Sequence, residues 1–232
     1  MVKKLKESSL NILLLDQGRQ SLPFVKALSK AGHQVHIVCN TRISEGYFSR
    51  YPVRRLLWPS YMKDPDGFEQ KLLRFLQNHQ MDVTLSVGDI SSEILSKNRD
   101  EITKYTKVTV PEYSKFLEVT DKLSLMNFCM REGIPCPVTY GLDRNTNHDL
   151  IRSFQFPVIV KPRRGLGAIG VLKIDNPDEV VANLSDFTEK YGPLLIQEYI
   201  PQEQGMQYQA QAFLDQDNNM KVCMVIAKPR FF

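Results

Sequence analysis

FPVIVKPRRGLGAIGVLKI, residues 156–174, is the most informative segment of this sequence. Its β-branched and aromatic residues fall in two runs, 156–161 and 170–174, and each run is predicted to form a strand. Residues 163–169 lie between the runs and include two glycines and two arginines. The segment is therefore predicted to be a β-hairpin with a basic, glycine-rich loop.

The composition of that loop favours an anion-binding site. Gly165 and Gly167 allow backbone N–H groups to turn toward an anion. Arg163 and Arg164 add positive charge at the same place. Lys161 ends the first strand, where an ammonium group suits a phosphate contact. A plain hairpin with a solvated basic tip is the alternative interpretation of these residues.

Two common nucleotide-binding motifs are missing from the sequence. The glycine loop is not followed by the Gly-Lys-Ser/Thr of a P-loop. The first predicted strand-to-helix turn, Asp16-Gln-Gly-Arg19, has a single glycine where the dinucleotide fingerprint requires three. These observations argue against a P-loop enzyme and against an NAD-dependent enzyme.

A second informative segment is LLIQEYIPQEQGMQYQ, residues 194–209, in which an apolar strand stops at Pro201. On an edge strand, the carbonyl of Glu198 and the N–H of Ile200 face the same side. Such a pair matches the N6 donor and the N1 acceptor of adenine. Every strand offers this pair, so the signal is informative only together with the glycine loop.

The remaining sequence predicts two domains of the α/β class. Residues 1–112 alternate between strands and helices and predict a small parallel sheet. One of these helices is expected to be capped by Asp64, and another to begin at Asp89, which is expected to cap it rather than to bind a ligand. Residues 113–232 are predicted to be α+β, with a first helix capped by Thr120.

The composition excludes several classes of protein. The formal net charge of +4 is too balanced for a nucleic-acid stripe. The four cysteines form no CxxC pair, which disfavours a zinc site or a disulfide framework and suggests a reducing cytoplasm. No apolar run reaches the roughly 20 residues of a membrane span. A soluble, cytoplasmic protein without nucleic-acid or membrane partners is expected.

Four motifs in order resemble those of the ATP-grasp superfamily, especially the branch that looks like the large subunit of carbamoyl-phosphate synthetase. They are Thr120-Asp-Lys122, Gly133-Ile-Pro-Cys-Pro137, Pro157-Val-Ile-Val-Lys-Pro162 with its glycine loop, and Gln197-Glu-Tyr-Ile200. The resemblance covers essentially the whole chain. It implies a pre-ATP-grasp domain over residues 1–112 and the N-terminal part of an ATP-grasp domain over residues 113–232, with a flap-bearing subdomain at about 138–200.

The resemblance also implies an ATP site. Lys122 and Lys161 would contact phosphates, and the loop with Arg163, Arg164, Gly165 and Gly167 would cover the triphosphate. The segment with Gln197, Glu198, Tyr199 and Ile200 would hold adenine, largely through its main chain. Gln207 stands where the family usually has a glutamate for ribose, and Glu203 is a nearby substitute.

The activity implied is an ATP-dependent ligation of a small-molecule carboxylate to an amine or another nucleophile, through an acylphosphate. The Mg²⁺ carboxylates are expected beyond residue 232, because Asp215 and Asp217 are better explained by a hairpin turn. The chain is thus expected to be an inactive N-terminal piece of a longer enzyme. A non-catalytic nucleotide-binding module is the alternative, and a glycosyltransferase-like or NAD-binding protein agrees with residues 1–112 alone.

Overall fold

The computed structural model describes residues 8–165, 167–201, 207–215 and 217–228. The chain divides into two compact units, residues 1–120 and 121–232. The sequence placed the division at residue 112, before the helix Tyr113–Thr120. That helix lies in the first unit, where the Tyr113 hydroxyl donates to Glu93 at 3.1 Å.

The first unit contains a five-stranded parallel sheet. Its strands are β1 (Asn11–Leu14), β2 (Gln34–Cys39), β3 (Arg54–Leu57), β4 (Val83–Leu85) and β5 (Lys107–Val108), in the spatial order β3-β2-β1-β4-β5. The helices are α1 (Ser21–Lys30), α2 (Glu45–Phe48), α3 (Pro65–Asn78), α4 (Asp89–Lys97), α5 (Arg99–Ile102) and α6 (Tyr113–Thr120). The predicted parallel sheet is confirmed.

Helix α3 forms where its sequence predicts it. The Asp64 side chain caps the helix by accepting a hydrogen bond from the Gly67 N–H at 3.0 Å, and Pro65 occupies the first turn. Its apolar residues recur at helical spacing and are buried against the sheet. They are Phe68, Leu72, Phe75 and Leu76. Their spacing in the sequence predicts one buried stripe along the helix, and the structure confirms it.

The second unit is built around a four-stranded antiparallel sheet. Its elements are α7 (Lys122–Arg131), β6 (Thr139–Leu142), α8 (His148–Arg152), β7 (Val158–Pro162), β8 (Leu172–Ile174), α9 (Pro177–Tyr191), β9 (Leu194–Glu198), β10 (Gln207–Leu214) and β11 (Met220–Lys228). The sheet has the order β6-β9-β7-β8, and β10 and β11 form a separate hairpin. The α+β prediction for this part of the chain is confirmed.

The cap of helix α7 differs from the sequence prediction. Asp121, not Thr120, is the N-cap, and its side chain accepts from the N–H groups of Leu123 and Ser124, each at 3.0 Å. Thr120 instead ends α6, and its hydroxyl donates to the carbonyl of Phe116 at 2.8 Å. The prediction was wrong because it did not include α6, whose last residue is Thr120.

The core of the second unit lies on one face of its sheet. Val158 and Val160 of β7 are buried there with the apolar faces of α8 and α9. The alternate residues, Ile159 and Lys161, are half-buried on the other face, as the sequence alternation predicted. Lys161 is thereby held on the sheet but kept out of its apolar core. No helix among the described residues has the length and apolar character needed to span a membrane.

Candidate functional site

Lys161 lies at the centre of the candidate site. Its Nζ donates a hydrogen bond to Gln197 Oε1 on the neighbouring strand β9 at 2.7 Å. Burial lowers the pKa of Lys161 from its ordinary value, and the positive charge of Lys122 lowers it further. No carboxylate among the described residues forms an ion pair with Lys161. Among the described residues, the half-buried positive charge of Lys161 is therefore not compensated by a carboxylate.

The Gln197 side-chain amide, which accepts from Lys161, has a fixed orientation. Gln197 is buried, and its Nε2 donates to Thr139 Oγ1 of β6 at 2.7 Å. The Thr139 hydroxyl in turn donates to the carbonyl of Pro137 at 2.8 Å. The Thr139 hydroxyl has one proton, which it donates to the Pro137 carbonyl, so it can only accept a hydrogen bond from Gln197. The Gln197 amide must therefore direct Nε2 at Thr139 and Oε1 at Lys161. Thr139 was missed by sequence reasoning, since nothing in its local sequence marks it.

Lys122, the first residue of α7, lies against the glycine loop. Its backbone N–H donates to the carbonyl of Arg163 at 3.0 Å. Its Nζ donates to the carbonyls of Arg163 and Gly165 at 3.4 and 3.3 Å. The structure thus brings Lys122, Lys161 and the base of the loop together, although 38 residues separate the two lysines in the sequence.

Arg163 is paired rather than free. Its guanidinium contacts both carboxylate oxygens of Asp121, through Nε at 3.1 and 3.0 Å and through Nη2 at 2.8 Å. Burial alone would raise the pKa of Asp121, but the hydrogen bonds from Arg163 and from the start of α7 outweigh burial and lower it. Asp121 therefore joins the first turn of α7 to the base of the glycine loop, and it compensates the charge of Arg163.

The glycines of the loop adopt conformations that other residues rarely take. Gly167 and Gly170 have φ values of 63° and 73°, and Gly165 has φ of 147°. At Gly170 a Cβ atom would lie 3.0 Å from side-chain carbons of both Pro162 and Tyr191. Arg164 lies in the same loop. The predicted hairpin is confirmed, with β7 and β8 antiparallel on either side of the loop.

The predicted adenine-binding segment begins at the end of β9. This strand lies between β6 and β7, so the prediction of an edge strand was wrong. Glu198 is its last residue, and its backbone N–H and carboxylate both bond to Val138, at 2.9 and 3.1 Å. Tyr199 and Ile200 follow outside the sheet, where their backbone groups are not part of a strand ladder. Within β9, the ladder bonds are made with β6 on one side and β7 on the other.

The residues predicted near ribose lie in and before the β10–β11 hairpin. Gln207 is the first residue of β10, is exposed, and pairs in register with Lys228. Glu203 lies outside the described residues. Asp215 is in the hairpin turn, as expected, where it accepts from the N–H groups of Asp217 and Asn219 at 3.0 and 2.9 Å.

Two further expectations concern carboxylates. Within the described ranges, no group of three or more His, Cys, Asp or Glu side chains could hold a metal ion.

In the first unit, Asp89 does not cap α4, since Gly88 is the N-cap and forms no side-chain cap bond. Asp16 instead accepts from the Val87 N–H at 2.6 Å and from Ser91 Oγ at 2.8 Å, beside the start of α4. The capping prediction for Asp89 was wrong because Asp89 is the first helical residue, one position after the N-cap.

Parts of this chain are similar in sequence to known proteins. Residues 119–226 match the sequence profile of a family described as an ATP-grasp domain. The D-aspartate ligase of Enterococcus faecium (strain Aus0004) is 22% identical over 183 residues, which cover 71% of this chain and 43% of the relative.

Two solved structures show the same fold. L-amino acid ligase from Bacillus licheniformis has a TM-score of 0.70 at 14% identity. The match covers 96% of this chain and 50% of the ligase chain. The biotin carboxylase domain of Hydrogenobacter thermophilus 2-oxoglutarate carboxylase, solved with MgADP, ADP and bicarbonate, has a TM-score of 0.71 at 17% identity and covers 92% and 49%. The chain thus spans about half the length of these proteins. Residues 119–226 thus resemble an ATP-grasp domain in sequence, and the described chain shares the fold of these solved structures.

Proposed function

We propose that this chain carries the nucleotide-binding half of an ATP-dependent ligase, which joins a small carboxylate to an amine or another nucleophile. The observation that supports it best is the pair of lysines at the glycine loop. Lys161 is half-buried, and both burial and Lys122 lower its pKa. A polyphosphate placed between the two ammonium groups would compensate both charges. Asp121 cannot do so, because it is paired with Arg163.

The glycine loop would contribute backbone donors to the same anion. Its positive φ values at Gly167, Ala168 and Gly170 are those from which successive N–H groups converge on a concave surface. Arg163, held by Asp121, would anchor the base of this loop, and Arg164 would add charge within it.

The nucleoside would bind beyond the end of β9. The carbonyl of Glu198 and the N–H of Ile200 would contact adenine, with Tyr199 between them and the Gln197 side chain on the phosphate side. Gln207 or Glu203 would accept hydrogen bonds from ribose. The match to the ATP-grasp profile supports this assignment, since it spans all of these residues.

The reaction would proceed in two balanced steps. A substrate carboxylate oxygen attacks the γ-phosphorus and ADP leaves, which forms an acylphosphate. The amine then attacks the acyl carbon, inorganic phosphate leaves, and the amine loses a proton. The lysines would neutralise charge on the transferring phosphoryl group, and no side-chain nucleophile is required. The relatives named as D-aspartate and L-amino acid ligases support an amino acid among the substrates.

Magnesium would supply positive charge that neutralises the phosphates, and the biotin carboxylase domain solved with MgADP supports its inclusion in the proposal. The described residues offer no suitable group of ligands. We therefore assign no step to the metal, whose ligands would lie outside the described residues, and the 232-residue chain would bind ATP without sustained turnover. The carbamoyl-phosphate synthetase-like branch and a cytoplasmic location belong to the same proposal. The four free cysteines support a reducing compartment.

Calorimetric titration of ATP into the 232-residue chain tests this function. Lys161→Ala should weaken ATP binding about tenfold to hundredfold, because it removes a charge-assisted phosphate contact. Lys190→Ala is a matched control, since Lys190 is exposed on α9 and contacts the ring of Tyr191. Equal ATP affinity of the wild type and Lys161→Ala would exclude Lys161 from the site.

A further inference from the structure

The first unit contains a cleft that the proposed ligase function does not use. It has a volume of about 210 Å³ and lies where strands β1 and β2 of the parallel sheet end. Asp16, Ser60 and Ser91 are among the residues that line it. We propose that this cleft binds a small organic cation, a short alkyl chain that carries a primary ammonium group. The inference is independent of the ATP site.

The position of the cleft in the sheet is one that ligands favour. From β1 the chain passes to β2 and β3 on one side, whereas β4 and β5 lie on the other. The sheet order therefore reverses between β1 and β4. In open α/β sheets, ligands bind beyond the carboxyl ends of strands at such a reversal. Asp16 follows β1, and Ser91 lies in α4, which follows β4.

The charge of the cleft selects the ligand. Asp16 Oδ2 accepts two hydrogen bonds, from the Val87 N–H and from Ser91 Oγ. Oδ1 receives none from the residues that the structure describes. The lining contains no Lys, Arg or His, so the Asp16 carboxylate is its one charged group. Phosphate or carboxylate ligands would be repelled, whereas an ammonium group would be attracted and could donate to Oδ1.

Asp16 Oδ1 lies close to Gly88. A Cβ atom at residue 88 would lie 3.1 Å from Asp16 Oδ1 and would limit its approach by a ligand. The glycine is the N-cap of α4 and has an extended backbone, so its φ does not require glycine. Glycine at this position therefore gives the Asp16 carboxylate room to lie close to the start of α4.

The walls of the cleft determine the rest of the ligand. Val38, Phe68 and Ile94 are buried and form an apolar lining, and Met62 and Ile90 are more exposed. The volume is below the roughly 300–1,000 Å³ typical of sites for drug-sized molecules. An alkyl chain of a few carbons can fill such a cleft while its ammonium group meets Asp16.

Titration of the ¹⁵N-labelled 232-residue chain with n-butylammonium, followed by NMR, tests the inference. We expect saturable shifts at the amides of Asp16, Ile90 and Ser91. Butyrate, which has the opposite charge, should cause none, and 1-butanol should bind at least tenfold more weakly. Asp16→Asn should weaken n-butylammonium binding about tenfold to hundredfold. Asp66→Asn, a substitution at an exposed residue of α3, is the matched control.

A second variant keeps the test decisive if Asp16→Asn does not fold. Met62 is 73% exposed, so Met62→Ala should leave the fold intact. It should weaken binding of n-butylammonium about threefold to tenfold through lost apolar contact, while methylammonium affinity stays unchanged. Absence of saturable shifts with n-butylammonium, equal binding of butyrate, or unchanged affinity in folded Asp16→Asn would each overturn the inference.

Discussion

Lys161 Nζ and Gln197 Oε1 are joined by a 2.7 Å hydrogen bond between two neighbouring antiparallel strands. The bond places a positive charge opposite a neutral acceptor, not opposite a carboxylate. An ammonium group has three donors, so Lys161 keeps donors for a ligand while Gln197 holds its position. The neutral partner distinguishes Lys161 from a lysine in a structural ion pair and supports the proposed phosphate contact.

Thr139 should influence ATP binding without touching the nucleotide. Thr139→Val removes the acceptor of Gln197 Nε2, so the amide can rotate and Lys161 loses its fixed partner. We expect ATP affinity to fall about threefold to tenfold, less than for Lys161→Ala. Calorimetry measures the change, and Thr188→Val is the control because its hydroxyl bonds within α9. Unchanged ATP affinity in Thr139→Val would contradict a positioning role.

ATP affinity should depend on the protonation of Lys161. Its pKa is lowered by burial and by Lys122, so the proton leaves below the ordinary lysine value of about 10.4. Bound phosphate favours the charged form, and affinity should therefore fall as the pH rises toward that value. Titrations at several pH values should show this fall in the wild type and a smaller one in Lys161→Ala. The same pH profile in both proteins would contradict the prediction.

Asp121 should stabilise the second unit through two sets of contacts. It caps α7 and pairs with Arg163, so Asp121→Ala should lower the free energy of unfolding by about 1–3 kcal/mol near pH 7. Because the folded-state pKa is lowered, this stability is fully present above the unfolded value of about 3.9. It is lost as the pH falls through the folded-state value.

Urea denaturation at several pH values measures the contribution of Asp121. The difference between the wild type and Asp121→Ala should shrink below about pH 4. Asp149→Ala is a control, since Asp149 lies in the first turn of α8 without an ion pair among the described residues. A difference that persists unchanged in acid would show that the Asp121 charge does not contribute.

Two glycines of the loop should differ in their tolerance of alanine. Both have positive φ, which costs a non-glycine residue on the order of 1 kcal/mol. A Cβ at Gly167 meets nothing within 4 Å, whereas at Gly170 it would lie 3.0 Å from Pro162 and Tyr191. Gly170→Ala should therefore destabilise the protein by about 1–3 kcal/mol more than Gly167→Ala. Thermal unfolding of both variants provides the comparison, and equal losses would refute the steric argument.

Local sequence patterns determined much of this protein. Alternation along β7 separates Val158 and Val160, which face the core, from Lys161. The Asp64-Pro65 pair sets the start of α3. Both features depend on residues a few positions apart, so the backbone period and the capping rules suffice to predict them. The sequence patterns did not predict β3, because Arg54 and Arg55 interrupt the run of apolar residues that would indicate a strand.

Only the tertiary structure decided what β3 and the candidate site contact. In β3, Arg55 Nε donates to the carbonyl of Tyr47 at 2.8 Å. This contact gives the guanidinium a hydrogen-bond partner, which the local sequence did not reveal. At the site, Arg163 and Asp121 are 42 residues apart, and Gln197 and Thr139 are 58 apart. Such pairs form because strand order and helix packing bring distant segments to one place, and residue identity by itself carries no information about that distance.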